Sequence, residues 1–454
     1  MLSASSITKH SALFICSVFL FSVVSSQENS PYSRYGIGEL YQSSHVAAQA
    51  MGGITTTYAD GQAINVSNPA SYGSMSFVTY DLGFSIDKRT LKSVSPLSKY
   101  SATNFIPSYV VLGIPLSRTK GWGMAFGFKP VTRVNYSILD SNQAPIGATK
   151  IQTLYDGSGG MNEFFWGLGK RFKNGLSLGF NVGYDFGRKE TNTKTIPVDT
   201  VALYKGNRSV TTTYGGVFLN GGIQYDIKLN KKEDKVKKAT STSFLRIGAF
   251  ASLGNTMTAE SDVLNQTFVY SADGAVIGVD TVEYKKNANG KIKLPQSYKV
   301  GLMYVQKTFD GITNYDKWTL GVEYNAAKWS DYRYYGEADK LIDNNMFRVG
   351  TSLTPNNPFS SKGMFSRSTY RFGFYTGKDM INADGHELKV MGITAGIGFN
   401  IRKRNNYDNQ FSLVNMAIDI GKRGSNVNNV TENYFRFTLG LSLSDIWFIK
   451  RKYD

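Results

Sequence analysis

The residue types that most often carry chemistry are thinly spread in this chain. Its 454 residues hold three histidines and one cysteine. His10 lies near the start, His45 a little further on and His386 far toward the C-terminus, so the imidazoles form no cluster by sequence. Cys16 lies inside an apolar run. No phosphate-binding loop is legible, nor a Ser-His pair of the kind that phospholipase chemistry needs. Asp384-Gly385-His386-Glu387 offers ligands to a cation, but Asp-Gly is more often simply a turn. No enzyme, no cofactor and no metal site is therefore expected.

The start of the chain has the form of a secretory leader. Lys9 and His10 give a short basic region, Ala12 to Val24 an apolar core, and Val24-Ser25-Ser26 a small-residue cleavage site. Residues 1–26 are thus expected to be removed, and Cys16 with them, leaving a mature chain without cysteine. Beyond residue 30 no stretch is long and apolar enough to span a membrane as a helix. Export, many glycines and abundant Tyr and Phe point to the cell envelope.

From Phe77 onward the dominant period is two. Leu176, Leu178, Phe180, Val182, Tyr184 and Phe186 alternate with Ser177, Gly179, Asn181, Gly183, Asp185 and Gly187. Met391 to Ile401 and Phe435 to Leu443 repeat the pattern. One face is large and apolar, the other small or polar. A soluble sandwich could bury the apolar face against a second sheet. A transmembrane barrel would turn it to lipid. The length of the segments, the aromatics at their ends and the glycines on the polar face favour an all-β transmembrane antiparallel β-barrel.

Fourteen strands are expected, near 76–86, 104–115, 121–133, 161–172, 175–187, 213–229, 242–254, 295–307, 316–329, 343–353, 367–377, 389–401, 409–421 and 433–444. Long connections at 87–103, 134–160, 188–212 and 255–294 alternate with very short ones, which places both termini in the periplasm. The run "KLNKKEDKVKK" at Lys228 to Lys238 then falls on a periplasmic turn. Lys231, Lys232, Lys235, Lys237 and Lys238 are candidate contacts for an acidic periplasmic partner or for lipid headgroups, against the plain reading of a solvated hairpin tip. A nucleic-acid partner has little support in an exported barrel.

Residues 27 to 75 precede the first strand and are moderately apolar. Fourteen strands enclose more space than their own side chains fill, and this segment can fold into it. Met51, Ile54, Ile64 and Val66 are expected to pack inside, Gly52, Gly53 and Gly61 to allow tight turns, and a short helix to form near Val46 to Met51. Asn68 precedes Pro69 and is pushed toward an extended shape. The other reading is a periplasmic tail that merely starts the barrel.

The run "AMGGITTTYADGQAINVSNPA" resembles the opening of the long-chain fatty acid transporter family of outer membrane proteins. The resemblance rests on Met51, Gly52, Gly53, Ala59, Asp60, Ala63, Asn68, Pro69 and Ala70. It implies an N-terminal hatch inside a fourteen-stranded barrel, with Gly61 between the matched positions. The ends "NSPYSRYGIGEL" and "LGLSLSDIWFIKRKYD" are similar to a branch of such proteins in Bacteroidetes-type bacteria. In the family a kinked strand opens a lateral gap toward the membrane, and the N-terminus reaches a ligand pocket. Neither the kink nor the pocket residues carry over onto this sequence.

Two functions are expected on these grounds. The first is passive uptake of a hydrophobic small molecule, captured by outer loops such as Tyr136–Leu139 and Val263–Val276. The second is a non-enzymatic accessory subunit of an outer membrane machine for protein secretion or barrel assembly. The partners are accordingly membrane lipids, a hydrophobic small molecule, or other outer membrane and periplasmic proteins. The domains are a signal peptide (1–26), an N-terminal segment and lumen hatch (27–75) and a barrel (76–454).

Overall fold

A computed structural model describes residues 30–445 apart from 96, 142–149, 199–203, 235–238, 311–313, 361–362, 384, 403–410 and 426. The expected leader with its Cys16, the last nine residues, Lys235, Lys237, Lys238 and Asp384 lie outside the described residues. The N-terminal segment holds a 3-10 turn at Pro31–Arg34, strand β1 (Glu39–Leu40), helix α1 (Val46–Gln49) and a 3-10 turn at Pro69–Ser74. Then follow β2 (Val78–Ser93), β3 (Ser98–Ser117), β4 (Trp122–Asp140), β5 (Ile151–Arg171), β6 (Leu176–Pro197) and β7 (Lys205–Asp234). Next are β8 (Ala239–Ser252), β9 (Thr256–Tyr270), β10 (Val276–Lys293), β11 (Ser297–Phe309), β12 (Asn314–Ala327) and β13 (Arg333–Tyr334). The chain ends in β14 (Asn344–Leu353), β15 (Thr369–Ala383), β16 (His386–Arg402), β17 (Phe411–Arg423) and β18 (Val430–Asp445).

All these strands join one 18-stranded antiparallel sheet. Setting aside β1, β13 and the β9–β10 hairpin leaves fourteen in a closed ring among the described residues. The ring closes where β18 pairs with β2, from Val430 opposite Ser93 to Asp445 opposite Val78. Every expected strand overlaps one of the fourteen. The expected loop 255–294 is different. It forms the β9–β10 hairpin, which continues the wall along the outer half of β7 while β8 pairs directly with β11. Tyr136–Leu139 and Val263–Val276, expected in loops, belong to β4 and to this hairpin. Lys228–Asp234, expected in a turn, continues β7.

Burial is inverted relative to a soluble protein. Phe180 is 40% and Ile393 59% exposed, whereas Asn181 and Glu323 on the opposite face are 2% and 1% exposed. Apolar side chains therefore meet lipid and polar ones meet the lumen, as a transmembrane barrel requires. No helix among the described residues is long and apolar enough to cross a membrane.

Lumen-facing glycines recur from strand to strand, and the N-terminal segment is what they face. A Cβ on Gly350 would lie 2.3 Å from the Met51 carbonyl oxygen, and one on Gly373 2.0 Å from the Gly52 nitrogen. Gly123, Gly179 and Gly248 stand in the same way against Tyr72, Pro69 and Thr56. The small face noted in the sequence thus brings two backbones into contact around the ring. Gly373→Ala is expected to destabilise the folded barrel by about 1–3 kcal/mol through overpacking. Gly221→Ala, whose Cβ meets nothing within 4 Å, should change stability by less than about 0.5 kcal/mol. Urea unfolding in lipid vesicles, read by gel mobility of unheated samples, compares the two.

Candidate functional site

The lower part of the N-terminal segment is held by buried polar contacts. The Glu323 carboxylate accepts from the backbone N–H of Thr55 and of Thr56, both at 2.7 Å, and from the Thr56 hydroxyl at 2.8 Å. Asn68 Nδ2 donates to the Thr56 carbonyl at 2.6 Å, and Gln224 Nε2 to the same oxygen at 2.8 Å. The Tyr72 hydroxyl donates to Asn181 Oδ1 at 3.0 Å. His45 Nε2 lies 3.1 Å from Asp81, both fully buried. In a low-dielectric lumen such groups are costly unless paired, so they fix the segment in one position.

The residues singled out in the sequence fall in three places. Met51, Gly52 and Gly53 form a turn against β14 and β15, with φ of +70° at Gly52 and +80° at Gly53. Asn68 is extended, with φ −142° and ψ 103°, and its side chain caps the 3-10 turn that Pro69 and Ala70 begin. Asp60 and Gly61 line a cavity of about 310 Å³ at the end of the barrel where β2 begins, with the charged Arg171, Arg246 and Asp316 beside the apolar Phe77, Met303 and Val305. Gly61 has no positive φ; it packs against Ser76 instead. Lys231 and Lys232 are exposed near the end of β7, and Lys231 is paired with Glu233. The lysines are therefore not part of the lumen site. Among the described residues no group of His, Cys, Asp and Glu is placed to hold a metal ion.

The upper part of the segment, Ser30–Tyr41, forms a strap. Tyr32, Tyr35 and Ile37 pack with Trp329, Tyr332, Leu341, Met380 and Leu388 in an apolar cluster that occupies the outer lumen. Gly36 N–H donates to Asp339 at 2.6 Å, and Lys189 Nζ to the Gly36 carbonyl at 2.6 Å. Glu39 accepts from Arg89 at 2.6 Å and from Arg423 at 3.2 Å. The Ser30 hydroxyl donates to Glu432 at 2.5 Å.

The strap lies beside a split in the wall. β3 pairs with β2 along nearly its whole length, but with β4 only between Val110–Ser117 and Phe128–Trp122. Above that point β4 pairs with β5 alone on its far side, and the strap takes its near edge. Glu39 stands opposite Arg133 and Leu40 opposite Thr132. Tyr41 N–H donates to the Val131 carbonyl at 2.8 Å, and Ser30 N–H to the Asn135 carbonyl at 3.2 Å. Gly38, at φ +104°, admits the approach, since a Cβ there would lie 2.5 Å from the Arg133 carbonyl oxygen. Pro107 and Pro130 flank the split. Neither has an N–H to give a ladder, and each strand slips register beside its proline, at Gly83/Phe84 of the β2–β3 pair and Pro130/Thr132 of the β4–β5 pair.

Sequence reasoning missed this window, although its signal was present as two prolines inside alternating segments. It also passed over Gly175-Leu176-Ser177-Leu178-Gly179, which spells a nucleophile elbow. Here the stretch opens β6 from a turn with Ser177 buried, and no strand-to-helix elbow exists.

The chain belongs to the BamG family, whose model matches residues 7–454. Among curated proteins nothing matches. Solved structures share the fold at low identity. The Ralstonia pickettii toluene transporter TbuX is similar at 14% identity and TM-score 0.53, over 88% of this chain and 98% of that one. A Pseudomonas aeruginosa FadL homologue is similar at 9% and 0.56, over 91% and 100%. The P. putida toluene transporter TodX is similar at 14% and 0.53, over 89% and 99%. The fold is that of a multi-pass outer membrane barrel of this type.

The strap's ion pairs carry a pH dependence. Burial pushes the Glu39 carboxyl up, but Arg89 and then Arg423 outweigh it and hold the carboxyl below its ordinary value of 4.5. A depressed carboxylate stabilises the folded contact above the ordinary value, and that stabilisation is lost as pH falls through the lower, folded one. Protease cleavage within residues 30–41 should therefore stay slow from pH 7 to 5 and quicken below about pH 4. Glu39→Gln should be cleaved faster already at pH 7, having lost about 1–3 kcal/mol of charged hydrogen bonding.

Proposed function

We propose that the barrel is a passive conduit for a hydrophobic small molecule, with the window between β3 and β4 as its lateral exit and the N-terminal segment as hatch and gate. The observation that carries this is the split itself. A continuous ladder is the stable way to close a barrel, and between β3 and β4 this wall departs from it, with a non-covalent strap standing in. A molecule of apolar character would leave toward lipid there without passing the charged residues Arg171, Arg246 and Asp316 of the lower cavity. The solved toluene transporters of the same fold add support. In this reading the described state is closed, residues 1–26 are a signal peptide, residues 27–75 the hatch and 76–454 the barrel. The two chain ends favour a Bacteroidetes-type source.

A second reading is favoured by a different observation. The lumen is filled at two levels, by Thr55–Tyr72 below and by Tyr32, Ile37, Trp329 and Tyr332 above. A filled barrel suits a non-enzymatic accessory subunit of a protein-secretion or barrel-assembly complex. Lys231, Lys232, Lys235, Lys237 and Lys238 would then be periplasmic contacts.

A covalent lock separates the two. The expected mature chain has no cysteine, so Leu40→Cys with Thr132→Cys adds one disulfide between strap and β4. Under the uptake reading, oxidised cells should take up labelled toluene at least tenfold more slowly, and reductant should restore the rate. Unchanged uptake in the locked barrel, with protein partners copurifying in fixed ratio, would support the second reading instead.

A further inference from the structure

The lipid-facing wall carries a feature that neither uptake nor the strap uses. Between β15 and β2, toward the outer end, is an open groove of about 570 Å³. Its floor is apolar, made by Phe374, Met391, Ile393, Ile420 and Phe435. Its outer rim is polar, with Lys88, Thr90, Lys422 and Asn433. The register sets this arrangement. Lys422, Asn433 and Thr90 stand in one row across β17, β18 and β2, and Ile420, Phe435 and Lys88 in the next.

Two charges sit there without opposing ones. Lys88 and Lys422 are exposed, and among the described residues neither is ion-paired. The neighbouring carboxylates are directed into the lumen, where Asp87 is held by Arg89 and Arg436 and Glu432 by Arg423. Below the lysines the outward positions of β2 are Ile86, Phe84, Leu82 and Tyr80, so the rim marks the outer limit of the apolar band. At that height a lysine meets headgroups, while the floor beneath it meets acyl chains.

We infer that this groove is a binding site for a phosphate-bearing acyl lipid of the outer leaflet, its phosphate between Lys88 and Lys422 and one chain along Phe374, Ile393 and Phe435. Charge complementarity selects the headgroup, and Thr90 and Asn433 supply hydrogen bonds to its oxygens. The site would keep an anionic lipid on the β15–β2 side of the wall, next to where the ring closes.

The test uses the full chain in detergent, with dioleoyl phosphatidic acid and dioleoylglycerol as probes that differ only in the phosphate, read by native mass spectrometry. The wild-type barrel should hold one phosphatidic acid, with diacylglycerol at least tenfold weaker. Lys88→Ala with Lys422→Ala should weaken phosphatidic acid by about fivefold for each lysine, and Lys88→Arg with Lys422→Arg should retain it. Equal binding by the alanine variant, equal binding of diacylglycerol, or binding of inorganic phosphate in place of the lipid would each overturn the site. A second readout needs no variant. Phosphatidic acid with a photoreactive acyl chain should label β15–β18 of the wild-type barrel, and labelling spread evenly round the wall would also overturn it.

Discussion

In a membrane wall every backbone N–H and C=O must be paired within the protein, because lipid offers no partner. The structure depends on how this constraint is met at one place. The ladder between β3 and β4 stops above Val110, although both strands continue well beyond it. The edge of β4 so released is taken by Ser30–Tyr41 of the same chain. The N-terminal segment is therefore part of the wall's hydrogen bonding as well as a filling of the lumen.

That double duty explains how the lumen is furnished. The strap reaches β4 only if the chain below it is fixed, and Glu323, Asn181 and Gln224 fix it through buried hydrogen bonds. It stays there only if its charge is matched, and Arg89 and Arg423 match Glu39. Close seating needs backbone on backbone, which is why Gly350 and Gly373 face Met51 and Gly52. Such contacts are individually modest but share one segment, so they should yield together.

Much of this was legible in the letters. Alternation reports which face a side chain takes, so the fourteen strands and the apolar exterior followed from runs such as Leu176–Phe186. The polar face also announced its role, since Asn181, Gln224 and Glu323 do meet the N-terminal segment. What alternation cannot report is which strand lies beside which. The β3–β4 split leaves side-chain faces unchanged and alters only ladder partners, so Pro107 and Pro130 were its sole trace. The β9–β10 hairpin escaped for a related reason. Much of β10 is exposed on both faces, so Val276, Ile277, Val279 and Val282 keep no strict alternation and Lys285–Lys291 is polar, which together read as loop. The strap's ion pairs join Glu39 to Arg423 across most of the chain, a distance no local pattern spans.

Hydrogen exchange on the intact barrel in lipid nanodiscs, resolved to single amides, tests the strap-closed window most directly. The account predicts slow exchange at Tyr41 and Asn135, whose N–H groups pair across the strap. It predicts fast exchange at those amides of Ser98–Ile106, Tyr100 and Thr103 aside, that face away from β2. Slow exchange at every amide of Ser98–Ile106 would mean a continuous ladder with no window. Fast exchange at Tyr41 and Asn135 would mean that the strap does not close it.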